Sequence, residues 1–240
     1  MAGGAYVALS GLRARADHLD RLAADIANGS TSGYKAQRGT TSEAERPVFN
    51  RALQSAIDVA AGPERYDFRN GTLASTGRDL DLALEGPGFF VVETAAGPRF
   101  TRNGHFVRGA EGTLTTEDGM PVAGDSGPIR LGDGTLSIDN DGTVRTGATV
   151  AGRVRVVEFA DYGQLTREGA SRFRAADPTQ AAAAQNTLVR SGAIEKSNVA
   201  MVERIAELTE VTRTFEALQK GVSVLMNDID GRAITELGRR

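Results

Sequence analysis

Asp79-Leu80-Asp81-Leu82-Ala83-Leu84-Glu85-Gly86-Pro87-Gly88-Phe89-Phe90-Val91-Val92 is the stretch that decides the fold. Its first six residues alternate strictly, the period of a strand with one buried face. Gly86-Pro87-Gly88 punctuates the chain, and the four apolar residues after it read as a second strand. Short runs of the same kind follow at Arg99-Phe100-Thr101, Leu136-Ser137-Ile138 and Val154-Arg155-Val156-Val157-Glu158-Phe159. Between them lie the turn pairs Asn103-Gly104, Glu111-Gly112, Asp118-Gly119 and Asp141-Gly142, with Gly132-Asp133-Gly134. Short strands at regular spacing with such turns predict an all-β, hairpin-rich domain over residues 77–176.

Outward from this domain the period changes. Toward the N-terminus, Leu9, Leu12, Ala16, Leu19, Ala23 and Ile26 recur at helical spacing, which predicts an amphipathic helix within residues 1–28. Asn28-Gly29 offers its C-cap. Toward the C-terminus, Met201, Leu208, Phe215, Val222 and Ile229 recur every seven residues, with Val211, Leu218 and Leu225 beside them. That row predicts a long helix within residues 197–240, capped by Ser197 or Asn198, of about 60 Å. Both stripes have the form of a coiled-coil seam. Residues 29–76 read as an extended or disordered linker and residues 177–196 as a return linker. The expected fold class is α+β, with N- and C-terminal coiled-coil helices flanking an inserted all-β domain.

Bulk properties remove several classes of function. The chain has 240 residues, of which 40% are hydrophobic and 25% charged, and this is ordinary for a folded protein. A formal net charge of −3 without a basic stripe argues against a nucleic-acid partner. No cysteine is present, which excludes disulfides, thiolate metal sites and a Cys nucleophile. Met1-Ala2-Gly3-Gly4-Ala5-Tyr6 lacks the basic and apolar regions of a cleavable signal, and no stretch is apolar enough to span a bilayer. No membrane insertion is expected. A protein of this kind stays in the cytoplasm unless it is exported by a route that uses no cleaved signal.

Catalytic signals are weak. His18 stands among Asp17 and Asp20 on the charged side of its helix and reads as solvated; His105 flanks a turn. Neither belongs to a readable Ser/His/Asp arrangement. Asp139-Asn140-Asp141-Gly142-Thr143 resembles the opening of a calcium loop, but Val150 stands where the final acidic ligand belongs, so a hairpin turn accounts for it better. Gly86-Pro87-Gly88 lacks the third glycine and following helix of a dinucleotide site. Neither enzyme activity, cofactor, metal nor small-molecule substrate is expected. Glu203, Glu207 and Glu210 alternate with Arg204 and Arg213 and read as the face of the C-terminal helix away from its seam.

Four motifs then carry a resemblance. Ala27-Asn28-Gly29-Ser30-Thr31-Ser32-Gly33-Tyr34-Lys35 resembles the Ala-Asn-x-x-Thr-x-Gly-Tyr/Phe-Lys motif of flagellar rod and hook proteins. Leu84 to Val92 resembles their Gly-x-Gly-Phe-Phe motif, and Arg99-Phe100-Thr101-Arg102-Asn103-Gly104-His105-Phe106 their Tyr-Thr-Arg-x-Gly-x-Phe motif. Ser197-Asn198-Val199 with Arg213-Thr214-Phe215-Glu216 is similar to their C-terminal pattern. One departure is Ala24-Asp25, where many members carry paired asparagines. The order and span of the motifs imply a structural rod subunit with a single β domain, of the proximal type rather than the distal. The resemblance implies assembly with other proximal and distal rod subunits, passage through the flagellar type III export apparatus, and residence in the rod across the periplasm. The implied subunit interface comprises Leu9, Leu12, Ala16, Leu19, Ile26, Asn28, Gly33, Tyr34, Met201, Leu208, Val211, Phe215, Leu218, Val222, Leu225 and Ile229. The alternatives are a distal rod protein and a β-domain binding module for a ligand or cell-wall glycan, dimerised by its helices.

Overall fold

The computed structural model describes residues 2–38 and 65–237; the side chains of residues 2–10 and 225–237 lie outside that description. The chain is α+β and divides into two compact units. One comprises Met1–Ala27, Gln37–Arg65 and Ala200–Arg240, the other Asn28–Ala36 and Tyr66–Val199.

The first unit is built on helices α1 (Ala2–Ala27) and α2 (Met201–Leu237). They pack antiparallel, since His18 of α1 meets Glu207 while the later Asp25 meets the earlier Arg204. Leu22 is buried between them at 2% exposure and Val211 at 4%. Leu22 was absent from the expected stripe, whose Ala23 turns outward. The spacing 19, 22, 26 satisfies the same period as 19, 23, 26, and only packing decides which residue is inside. Full burial of a Leu contributes about 1.5–3 kcal/mol, so the helix rotates to seat the larger side chain.

The second unit is a succession of short strands. With Gln37–Arg38 (β1) and Arg65–Tyr66 (β2) preceding them, they are Leu73–Ser75 (β3), Leu82–Glu85 (β4), Phe89–Thr94 (β5), Gly97–Thr101 (β6), Phe106–Arg108 (β7) and Leu114–Thr116 (β8). Ala123–Gly124 (β9), Gly127–Pro128 (β10), Leu136–Ile138 (β11), Thr143–Thr146 (β12), Thr149–Arg153 (β13) and Val156–Glu158 (β14) come next. Leu165–Glu168 (β15), Arg172–Ala175 (β16), Ala182–Ala183 (β17), Leu188–Ser191 (β18) and Ala193–Glu195 (β19) complete them. The largest sheet is antiparallel, in the order β15-β16-β6-β5-β14-β17.

β5 explains the unbroken apolar run at its centre. Phe90 faces a core with Leu82, Leu84, Phe106, Leu114 and Val144. Phe89 and Val91 face the other side, with Tyr66, Phe100, Val157 and Phe173. A strand buried on both faces needs no alternation. Gly104 lets the chain press against β4: Leu82 N donates to Gly104 O at 2.9 Å, and a Cβ at 104 would lie 1.7 Å from Leu82 O.

Three expected boundaries shift. Residues 177–196 are not a bare return linker, because β18 pairs with β4 and β19 with β3. Those pairings satisfy backbone groups that β3 and β4 would otherwise leave open. The β unit is correspondingly larger than residues 77–176. Of the expected linker 29–76, the parts 29–36 and 66–76 belong to that unit, and residues 39–64 lie outside the described residues. Helix α2 starts at Met201 rather than at Ser197 or Asn198, for a reason given below.

Asp139 to Gly142 forms the turn between β11 and β12. Thr143 donates to the Asp141 carboxylate from its backbone N at 2.9 Å and its hydroxyl at 2.9 Å. These two bonds hold the Asp141 carboxyl below its usual range.

Candidate functional site

The two helices bear the residues of the expected stripes to different depths. Leu12, Ala16, Leu19 and Ile26 on α1 are half-buried, as are Met201, Leu208, Phe215 and Val222 on α2; Val211 is buried. Leu218 is 40% exposed. The side chains of Leu9, Leu225 and Ile229 lie outside the described residues. Much of the stripe is therefore partly covered within the subunit. Other apolar side chains on α2 remain open to solvent: Val202 at 82%, Ile205 at 49% and Val224 at 61%.

A polar chain crosses the helical pair and corrects two expectations. Arg204 Nε lies 3.3 Å from Asp25 Oδ2, and its NH1 donates to Glu207 Oε2 at 2.8 Å. His18 Nε2 lies 3.1 Å from Glu207 Oε1. Arg204 and Glu207 thus edge the seam instead of facing away from it, and His18 is half-buried instead of solvated. Asp25, 1% exposed, also accepts from Gln37 N at 3.0 Å. A carboxylate at this depth needs such partners, so these groups fix how the helices register. Spacing could not reveal the cross-helix pairs, because His18 and Glu207 stand 189 positions apart.

In the β unit, the first motif is wound into the interior. Gly33, Tyr34, Lys35 and Ala36 are all buried, Tyr34 at 1% exposure. Gly33 has φ +68°, and a Cβ there would lie 2.2 Å from Asn103 N and 2.3 Å from Arg102 C. Only glycine fits both the conformation and the space. Gly33 N donates to Glu195 O at 2.8 Å, and Asn198 N donates to Tyr34 O at 3.4 Å. Gly33 and Tyr34, expected at a subunit interface, are thus engaged within their own subunit. Asn28, half-buried, receives the Thr31 hydroxyl at 3.2 Å.

Asn198 explains the late start of α2. Its Oδ1 accepts from Ala36 N at 2.8 Å, while its Nδ2 donates to Asp67 O at 2.7 Å and Arg69 O at 3.1 Å. A primary amide offers donor and acceptor together, and here it stitches two segments instead of capping a helix. Beside it Arg167 stacks over Tyr34 at 4.2 Å and Tyr66 at 4.5 Å and donates to Lys35 O.

At the centre lie three charges with almost no solvent access. Lys35 Nζ is 2.6 Å from Glu195 Oε1, and both side chains are 0% exposed. Arg102 NH1 is 3.3 Å from Glu195 Oε2 and its own side chain is 2% exposed. Glu195 Oε1 also accepts from Gly71 N at 2.7 Å. Lys35 donates to Arg69 O at 2.8 Å and Arg102 to Gly86 O at 2.8 Å. Burial lowers the Lys35 and Arg102 pKa values, against the opposing pull of Glu195. The arrangement holds chain segments in place. Among the described residues no group of acidic, His or Cys side chains could hold a metal ion, and no helix is long and apolar enough to cross a membrane.

The family model for the flagellar hook protein FlgE/F/G D1 domain matches residues 83–147, and that for the flagellar basal body rod FlgEFG protein C-terminal region matches residues 190–233. The chain is 32% identical to the flagellar basal-body rod protein FlgF of Caulobacter vibrioides, over 90% of each chain. It is 32% identical to FlgF of Rhizobium meliloti over 99% of each. With the flagellar basal-body rod protein FlgG of Bacillus subtilis it shares 29% identity over 90% of this chain and 92% of that one.

Proposed function

We propose, for a chain that belongs to the flagellar basal-body rod protein family and is most like FlgF, that its terminal helices build the rod while its β unit remains a folded appendage. It is a structural subunit of the bacterial flagellar basal-body rod, and that rod is where it resides. The observation that carries this reading is the match of 99% of the chain to 99% of a rod protein, so that helices and β unit are both included. The matched families are rod and hook proteins, with no catalytic family among them.

The finer reading concerns how subunits join. α2 has 37 residues and α1 has 26. Because the polar chain ties the first turns of α2 to the last turns of α1, α2 outruns its partner by about 15 Å at 1.5 Å per residue. The last turns of α2 then need a wall from another subunit. So do Val202, Ile205 and Val224, which stand outside the intrachain seam. The helices of neighbouring rod subunits, proximal and distal, are the partners this reading assigns. A heterologous contact of that kind repeats into a tube, and a tube of packed helices transmits torque. Coiled-coil packing between subunits and export through the flagellar type III apparatus belong to the same reading. The lower identity to the distal-type relative favours the proximal position.

Deletion and fractionation test the assignment. Cells lacking the chain should fail to swim, and basal bodies purified from complemented cells should contain it in the rod fraction. Swimming without the chain, or its absence from purified basal bodies, would reject the reading.

A further inference from the structure

We propose that residues 33–36 and 195–198 form a single clasp, closed by Glu195 between Lys35 and Arg102, that opens and closes as one unit while the six-stranded sheet stays folded. The clasp is a property of the free subunit and does not depend on which neighbours the subunit meets.

The first argument is charge. Two cations, Lys35 and Arg102, share one carboxylate where all three side chains are at most 2% exposed. Arg102 Nε is buried with no hydrogen-bond partner among the described residues. If residues 195–198 leave, Lys35 and Arg102 stay behind in a dry site without their anion. That state is costly enough to expel Lys35 as well. If residues 33–36 leave, Glu195 O and Asn198 Oδ1 lose the amides of Gly33 and Ala36. Each end therefore destabilises the other.

The second argument is independence from the core. Neither apolar cluster of the β unit draws a buried residue from 28–36 or 195–199. Apart from Arg167, which stacks on Tyr34 and donates to Lys35 O, the clasp binds mainly to backbone: Arg69 O, Gly71 N, Asp67 O and Gly86 O. Losing it removes hydrogen bonds and charge pairs while the two faces of β5 stay packed. Local opening of this kind, below the free energy of global unfolding, is how proteins release contiguous segments. Here the released segments are the exit from α1 and the approach to α2, so one event sets both helical ends free.

Amide hydrogen exchange on the full chain reads the clasp directly. The amides of Gly33, Ala36, Gly71 and Asn198 each donate to an acceptor supplied by another segment. In the wild-type chain these four should share one opening equilibrium, at least tenfold more open than that of the β5 amides. In Glu195→Gln, which keeps the shape and removes the charge, exchange at Gly33 and Ala36 should rise at least tenfold together with Asn198, and the β5 amides should stay at least tenfold less open than these. Asn198→Ala should raise Gly33 exchange in the same way. Acceleration confined to the substituted end would overturn the proposal, and so would β5 amides as open as those of the clasp. Were Glu195→Gln not to fold, distinct openings for the four wild-type amides would still overturn it.

Discussion

Replacing Glu195 with alanine lowers the stability of the β unit by about 3–5 kcal/mol, because two buried cations lose the carboxylate they share. Lys35 and Glu195 side chains are 0% exposed and Arg102 is 2% exposed, so water cannot take over the lost role without opening the site. Gly71 N loses its acceptor at the same time. Near-UV circular dichroism, which reads the packed aromatic rings, should show the denaturation midpoint falling accordingly. The substitution also has a pH signature. Burial, opposed by Glu195, holds Lys35 below its ordinary value of 10.5. The unfolded chain then binds that proton more tightly than the folded one. Stability linked to Lys35 is thus fully present above 10.5 and lost as pH falls through the folded value. Without Glu195 the folded value drops further, and the rising limb begins at lower pH. Tyr162, which burial pushes upward, is common to both chains and cancels in the difference. Parallel stability curves for the two chains from neutral pH to pH 10 would contradict this account of the site.

Changing Val202 and Ile205 together to aspartate should abolish swimming while leaving the free subunit folded. At 82% and 49% exposure these side chains contribute little to the monomer, and exposed substitutions of this kind usually cost within about 0.5 kcal/mol. In a helical seam between subunits the same positions are dry, and each unpaired carboxylate there costs several kcal/mol. The difference falls wholly on assembly. Circular dichroism of the purified chain should match the wild type, and the variant should be missing from isolated basal bodies. Normal swimming would remove this face of α2 from the interface.

These two predictions rest on features of unequal legibility. The central strand was plain, because four consecutive apolar residues, Phe89 to Val92, suit a strand covered on both faces. The helices were plain too, since their period runs through Leu12, Leu19 and Ile26 and through Met201, Leu208 and Phe215. Which neighbour the stripes meet was not plain, for a stripe specifies a wall and not its owner. β18 and β19 escaped notice because Leu188-Val189-Arg190-Ser191 and Ala193-Ile194-Glu195 are short and partly polar. They become strands only through partners more than 100 residues earlier. The clasp was hidden for the same reason. Lys35 was visible as the last residue of a motif, and Glu195 as one acid among many. Nothing in local spacing says that two residues 160 positions apart come to 2.6 Å.

The central claim is that the helices of this chain pack against helices of neighbouring subunits in the rod. The chain contains no cysteine, so Val202→Cys introduces a single reactive thiol at a site 82% exposed in the subunit. A thiol-anchored photocrosslinker at that position, activated in purified basal bodies, should join the chain to a terminal helix of an adjacent rod subunit. Adducts found only on β units, or none at all from a chain that is present in the rod, would contradict the account.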